Sequence, residues 1–143
     1  MPKVTVAILL CLLLGCGKLN EITAPDDDSG GGPPPDPAAT FTRVQSEIFT
    51  PSCAVLGCHD TIGRQSDLIL STGRSYSEIV NRPSVQMPSL RRVQPNDPNN
   101  SYLYRKLTGV GIVDERMPQF GPPLPADKLA LVRDWIRRGA PND

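Results

Sequence analysis

Aromatic side chains are scarce in this chain of 143 residues, which has three Phe, three Tyr and one Trp. A small domain with few large apolar side chains buries little surface and commonly needs reinforcement. Histidine is rarer still, with a single copy, so a metal site cannot take a second imidazole from the same chain. We therefore expect a modest core that is completed by a cross-link or a bound group.

Long apolar runs and the common catalytic motifs are also missing. The longest largely apolar run, Val4 to Leu14, is too short for a membrane-spanning helix, which needs about 20 residues. The chain contains no G-x-S-x-G, P-loop or H-E-x-x-H motif. No small-molecule substrate site is therefore identified, and the sequence favours a role other than substrate conversion.

The N-terminus has the organisation of a secretory signal, with Lys3, an apolar run and small residues around Gly15. Its end, "LLGC", is similar to the bacterial lipobox, where cleavage precedes a cysteine that then carries lipid. We predict a lipoprotein signal peptide over residues 1–15 and lipidation at Cys16. Gly17 favours the outer membrane, on its periplasmic side or at the cell surface. An ordinary signal peptide with an incidental cysteine is the alternative.

Composition changes abruptly after Cys16. Residues 17–40 contain five prolines, four glycines and five acidic residues, with little to bury. Such a composition is typical of a disordered tether. We predict that residues 16–40 form a lipidated tether and that residues 41–143 form one small domain.

Charge is balanced over the whole chain, with 15 Lys and Arg against 15 Asp and Glu. The predicted domain is mildly basic, with thirteen Lys and Arg against ten Asp and Glu. Arg91-Arg92, Arg137-Arg138 and the segment "YLYRKL" are basic enough to suggest nucleic acid, but an exported chain rarely meets any. We interpret these charges as solvated helix faces and expect no nucleic-acid partner.

Helical periodicity dominates the predicted domain, and no stretch alternates as a strand does. "FTRVQSEIF" predicts a first helix that Pro51 ends, and "ADKLALVRDWIRRG" predicts a last helix that stops at Gly139. Between them we expect a helix after "PNDPNNSYLYRKL", with Asp97 as N-cap, and a short one at "SYSEIV". The fold class is therefore all-α, with three to five short helices and proline-rich loops. The last helix has an apolar half (Leu129, Leu131, Val132, Trp135, Ile136) and a polar half (Arg133, Asp134, Arg137, Arg138).

The stretch "CAVLGCHD" holds Cys53, Cys58 and the only histidine, His59. Four chemistries use such a cluster: a disulfide, a zinc site, a cysteine nucleophile with its base, or covalent haem attachment. Zinc lacks a fourth ligand, and a nucleophile and its base are generally distant in sequence. A Cys53–Cys58 disulfide is possible in an exported protein, but it leaves His59 without a role. Haem attachment uses all three residues, although four residues separate the cysteines instead of the usual two.

Residues 41–143 resemble the small c-type cytochrome domains of exported bacterial proteins, some of which have the C-x4-C-H spacing. The matching motifs, in order, are "IFTPSCAVLGCHD", "VQPNDPNNSYLYRKLTG", "RMPQFGPPL" and "LALVRDWIRRGAPN". The resemblance implies a cytochrome c-like fold around one covalently bound haem c, with the first and last helices crossing beside it. It also implies attachment at Cys53 and Cys58, with His59 and Met117 as the two iron ligands.

The second iron ligand has two candidates in the sequence. His59 is the only histidine and Met1 leaves with the signal, so Met87 and Met117 are the methionines that remain. Both precede proline. Met117 lies where the resembled family carries its ligand, whereas Met87 could simply pack in the interior.

The function that the resemblance implies is outer-sphere electron transfer by a membrane-tethered monohaem cytochrome, with redox proteins as partners. The chain would be an electron carrier and not an enzyme. Two alternatives remain open. One is a non-redox lipoprotein binding module with a Cys53–Cys58 disulfide, and the other is a haem-based sensor or enzyme subunit with an open iron position.

Overall fold

The computed structural model describes residues 32–143. In this range the chain forms four short α-helices and no β-strand, and only isolated bridges pair its extended segments. The predicted all-α class is confirmed at this level. The predicted signal peptide, Cys16 and most of the tether lie outside the described residues. Across residues 32–143, no helix has both the length and the apolar character needed to cross a membrane.

The first helix, α1, spans Phe41–Val44 and continues directly into a π-helical segment, Gln45–Cys53. Pro51 lies inside that segment, so the prediction that Pro51 ends the helix is wrong. In an α-helix the proline ring clashes with the carbonyl of residue i−4, and the wider π-helical turn changes that register. The continuation carries the helical backbone as far as Cys53.

The two middle helices are short. Helix α2 spans Ser75–Ile79, as predicted, and α3 spans Tyr102–Thr108. The N-cap position of α3 is Ser101, so the prediction of Asp97 as its N-cap is wrong. The carboxylate of Asp97 instead closes a turn by accepting hydrogen bonds from the backbone and side-chain nitrogens of Asn100.

The free N–H groups at the start of α3 find partners in the main chain of the preceding segment. Tyr102 N donates to the carbonyl of Arg91, and Leu103 N donates to the carbonyl of Arg92, both at 2.9 Å. Backbone carbonyls therefore satisfy donors that a capping side chain would otherwise accept. These bonds join the beginning of α3 to the chain around residues 91 and 92.

The last helix, α4, spans Ala126–Arg137, and Gly139 beyond it has a φ of +91°. Both the helix and its glycine stop agree with the predictions. Most of the predicted apolar half is buried, but so is Asp134, which is 8% exposed. Asp134 belongs to the predicted polar half of the helix, and it is buried because its carboxylate has partners there. Asp134 Oδ1 accepts from Arg133 Nε at 3.0 Å, and Oδ2 accepts from the backbone of Asp36 at 3.4 Å.

The core brings most of the few aromatic rings together where α1 meets α4. The ring of Phe41 lies 5.1 Å from Tyr76, 5.4 Å from Trp135 and 6.3 Å from Phe49, measured between centroids. Phe49 and Trp135 are entirely buried. Ala39 is also entirely buried, and its carbonyl accepts from Arg138, so the packed part of the chain begins before Phe41.

Candidate functional site

The loop that follows the π-helical segment folds back on itself and brings its two ends together. Ala54 N donates to the carbonyl of Phe49 at 2.7 Å, which ends the helical segment. The backbone N–H of Cys58 donates to the carbonyl of Val55 at 3.0 Å, and His59 N donates to the carbonyl of Cys53 at 3.1 Å. The main chain thus holds Cys53 and His59 side by side, although four residues separate the two cysteines.

The next turn supports this loop from outside. Asp60 Oδ1 accepts a 2.6 Å hydrogen bond from the backbone of Gly63, which packs against the backbone of Cys58. A Cβ atom at position 63 would lie only 2.7 Å from the nitrogen and the oxygen of Cys58. These contacts are with backbone and cannot be relieved by turning a side chain. Glycine is therefore required at position 63 for this loop geometry.

A largely apolar cleft lies between this loop, α3 and the segments on either side of α3. With its open mouth included, the cleft holds about 640 Å³. None of the described residues that line the cleft belongs to α4. Three predicted site residues, Cys53, His59 and Met117, share this lining. The apolar part of the wall comes mainly from Leu68, Leu70, Ile79, Val85, Leu103 and Leu107.

The imidazole of His59 has a buried nitrogen, Nδ1, that lacks a hydrogen-bond partner in the described residues. Burial lowers the pKa of His59, and the positive charges of Arg92 and Lys106 lower it further, while the nearby carbonyls of Leu68 and Gln65 act in the opposite direction. The neutral ring is therefore favoured, and neutral imidazole is the form that binds a metal.

The two cysteines differ in their surroundings. Cys53 is buried, and burial together with the proximity of Cys58 raises the pKa of its thiol to about 12. Cys58 is half-buried, does not line the cleft, and is not joined to Cys53. A thiol with such a high pKa is protonated at neutral pH, whereas a catalytic nucleophile is a thiolate. The buried thiol of Cys53 is therefore poorly suited to act as a nucleophile.

The two candidate methionines occupy different places. Met117 lines the cleft, packs against the core, and donates its backbone N–H to the carbonyl of Lys106 at 2.8 Å. Met87 does not line the cleft, and its backbone N–H donates to Ser84 Oγ at 3.2 Å. Of these two side chains, only that of Met117 shares a cavity wall with His59.

Two cations on the cleft wall were missed by the sequence interpretation. Arg92 is 9% exposed and Lys106 is 7% exposed, so neither belongs to a solvated helix face as predicted. The guanidinium of Arg92 donates to the carbonyls of Glu78 at 2.9 Å and Asp67 at 2.8 Å. The sequence did contain a signal for the burial of Lys106. Lys106 follows Tyr102 by four residues, so the two side chains lie on the same face of α3, and that face is buried.

Within residues 32–143, no group of three or more His, Cys, Asp or Glu side chains is placed to hold a metal ion. That part of the chain therefore offers no zinc site of the usual kind. A site that combined one imidazole with one thioether would have a different ligand set. His59 and Met117 are such a pair, on the wall of one cleft.

Comparison of the chain with protein-family models, with curated proteins and with solved structures found no match in any of the three. The resemblance to small c-type cytochrome domains therefore depends on the motifs quoted above. A functional proposal for this chain is therefore supported by the residues that line the cleft and by those motifs.

Proposed function

We propose that the chain is a monohaem c-type cytochrome that passes electrons between protein partners and is tethered to a bacterial membrane through Cys16. The main supporting observation is that Cys53, His59 and Met117 line one largely apolar cleft. A cysteine that can form a thioether bond, an imidazole and a methionine sulfur are three of the four groups that hold haem in cytochromes c. The fourth group, the second cysteine, would be Cys58, which is the neighbour of His59 in the chain.

The residues of the cleft fit haem c in three respects. The wall is mainly apolar, as the porphyrin ring requires. The buried Nδ1 of His59 lacks a partner, and an unsatisfied buried polar atom in a native protein calls for an explanation such as a missing ligand. Arg92 lines the same cleft and would offset part of the negative charge of the haem carboxylates.

Each residue would have a limited task. Cys53 and Cys58 would hold the edge of the ring through thioether bonds, and His59 and Met117 would bind the iron. The haem supplies the one-electron couple when it is bound. Leu68, Leu70 and the other apolar wall residues would keep water from the ring, while methionine ligation would raise the reduction potential relative to two histidines. None of these tasks requires a substrate site.

The direct test is the absorbance spectrum of protein expressed together with haem-attachment machinery. We expect a reduced c-type haemochrome that stays with the protein after acid–acetone extraction. Cys53→Ala or Cys58→Ala should lower the yield of folded protein and leave at most one thioether bond. Ser46→Ala, an exposed change on the same helical segment, should leave the covalent haem unchanged.

Two results would contradict an electron-carrying cytochrome. Wild-type protein that folds without haem and contains a Cys53–Cys58 disulfide would replace this proposal with the non-redox lipoprotein. Covalent haem together with rapid carbon monoxide binding in the wild type would instead favour a sensor or an enzyme subunit, because both need an open iron position.

The membrane tether has its own test. Cys16→Ser should abolish lipid labelling and release the protein from the outer-membrane fraction, while the haemochrome spectrum stays the same. Wild-type protein that is entirely unlipidated and soluble would contradict anchoring through Cys16. Cys16 lies outside the described residues, and this part of the proposal is supported by the signal-like N-terminus, its "LLGC" motif and Gly17.

A further inference from the structure

The segment between α3 and Met117 has no regular secondary structure in residues 109–116. Much of this segment is exposed, including the side chain of Val110. Met117 nevertheless occupies a place in the cleft wall. Because an exposed irregular segment has many alternative conformations, specific contacts must hold the end that carries Met117.

Three of these contacts come from one residue of α3. Lys106 Nζ donates to the carbonyl of Val113 at 2.9 Å and to the carbonyl of Glu115. The carbonyl of Lys106 accepts from the backbone N–H of Met117 at 2.8 Å. Both the side chain and the main chain of Lys106 therefore bind the stretch from Val113 to Met117.

The burial of Lys106 makes these bonds necessary for its own stability. A buried ammonium group without partners is costly, and hydrogen bonds from a charged donor are stronger than neutral ones. Burial lowers the pKa of Lys106, whereas the carboxylates of Asp114 and Glu115 act in the opposite direction. A conformation that moved the carbonyls of Val113 and Glu115 away would cost this group both of its hydrogen bonds, and the observed arrangement of the segment is favoured by that amount.

We propose that Lys106 is a positioning residue, which holds residues 113–117 in one conformation and so keeps the sulfur of Met117 at the cleft. This inference rests on the proposed function, since the sulfur has a role there only if the cleft binds haem. Lys106 would act through Met117 and would not itself bind the iron. Tyr102 assists one turn earlier, because its hydroxyl accepts from the backbone N–H of Val113 at 3.1 Å.

The test uses Lys106→Leu in the haem-loaded protein. Leucine removes the ammonium donors, fits an apolar wall and cannot ligate iron. We expect covalent haem to remain, the far-red sulfur-to-iron band of the oxidised protein to weaken, the reduction potential to fall and carbon monoxide to bind. Lys106→Arg, which keeps charged donors, should restore the band in part. Lys128→Leu is the matched control, because Lys128 pairs with Glu47 on the surface.

A second measurement separates this inference from the proposed function. Amide hydrogen exchange at Val113 and Met117, whose N–H groups are bonded to Tyr102 and Lys106, should become at least about tenfold faster in Lys106→Leu, as expected for the loss of hydrogen bonds from a charged group. Amides of α4 should keep their rates. If the wild type carries no haem but the exchange result holds, the cytochrome proposal fails and the positioning role of Lys106 stands. An unchanged band, unchanged carbon monoxide binding and unchanged exchange in Lys106→Leu would overturn the role of Lys106.

Discussion

The side of the molecule around α1 and α4 and the side that forms the cleft are stabilised in different ways. Around α4, apolar packing dominates, and the ring of Phe41 contacts those of Phe49 and Trp135. Around the cleft, irregular segments are held by main-chain hydrogen bonds and by the buried cations Arg92 and Lys106. The aromatic side resembles the core of an ordinary small protein, whereas the cleft side depends on polar contacts between distant segments.

This difference separates stability from ligand chemistry. A change in the aromatic core should mainly lower the free energy of unfolding, because burial of apolar area provides most of the stability there. A change on the cleft side should mainly alter what the cleft can bind, because such a change removes less buried apolar area than the loss of an aromatic ring from the core. Four substitutions test this separation, taken from the largest expected effect on stability to the smallest.

Trp135→Ala should have the largest effect, a loss of about 3–5 kcal/mol in the free energy of unfolding. Trp135 is entirely buried beside Phe41, and its Nε1 donates to the carbonyl of Pro141 at 2.9 Å. Urea unfolding followed by circular dichroism measures the change. Phe120→Ala is the control, because its ring is 92% exposed, and it should shift the midpoint little. Equal shifts for the two variants would refute the assignment of the core.

Met117→Ala should cost less than Trp135→Ala in unfolding free energy, because Met117 is only half-buried. In the haem-loaded protein it should remove the far-red sulfur-to-iron band, lower the reduction potential and allow carbon monoxide to bind. Met87→Ala should leave all three nearly unchanged, since Met87 does not line the cleft. The reverse pattern would transfer the ligand role to Met87.

Gly63→Ala should destabilise the cysteine loop by about 1–3 kcal/mol, as overpacking does elsewhere. The added methyl group would lie 2.7 Å from backbone atoms of Cys58, so the loop would have to move. Thermal unfolding and the yield of covalent haem both report the change. Gly121→Ala is the matched control, because its nearest neighbour, the side chain of Pro118, would be 3.8 Å away. A Gly63→Ala protein that matches the wild type in both measurements would contradict the described loop.

Glu47→Gln should have the smallest effect, and that effect should depend on pH. Hydrogen bonds from Arg43 and Lys128 lower the pKa of Glu47 to about 2, below its ordinary value of about 4.3. A lowered folded-state pKa stabilises the protein above the unfolded pKa, and this contribution is lost as pH falls toward 2. The variant should therefore unfold at lower urea than the wild type at pH 7, and the difference should shrink between about pH 4.5 and pH 2.

The control for this change is Ser46→Ala, which alters an exposed, uncharged residue next to Glu47. Its urea midpoint should follow that of the wild type at pH 7 and at pH 3. A Glu47→Gln midpoint that equals the wild-type midpoint at pH 7 would show that the contacts with Arg43 and Lys128 contribute nothing measurable, as is common for surface ion pairs.

Helix α4 and its glycine stop could be predicted because their determinants are local. An apolar stripe at helical spacing and a glycine after the last turn depend only on residues a few positions apart. The error at Pro51 arose because a π-helical turn carries the helical backbone past the proline, whereas the error at Asp97 arose because a distant segment of the chain binds the start of α3. The carbonyls of Arg91 and Arg92, ten or more residues away, accept the first N–H groups of α3, so a local capping side chain was not needed.

The sequence by itself determined the helical class, the site of the last helix and the clustering of Cys53, Cys58 and His59, because periodicity and spacing are properties of neighbouring residues. Only the tertiary structure decided that Met117, and not Met87, shares a cleft wall with His59. It also decided that Arg92 and Lys106 are buried. A cation is buried when carbonyls from other segments can satisfy it, and those segments meet only when the chain has folded.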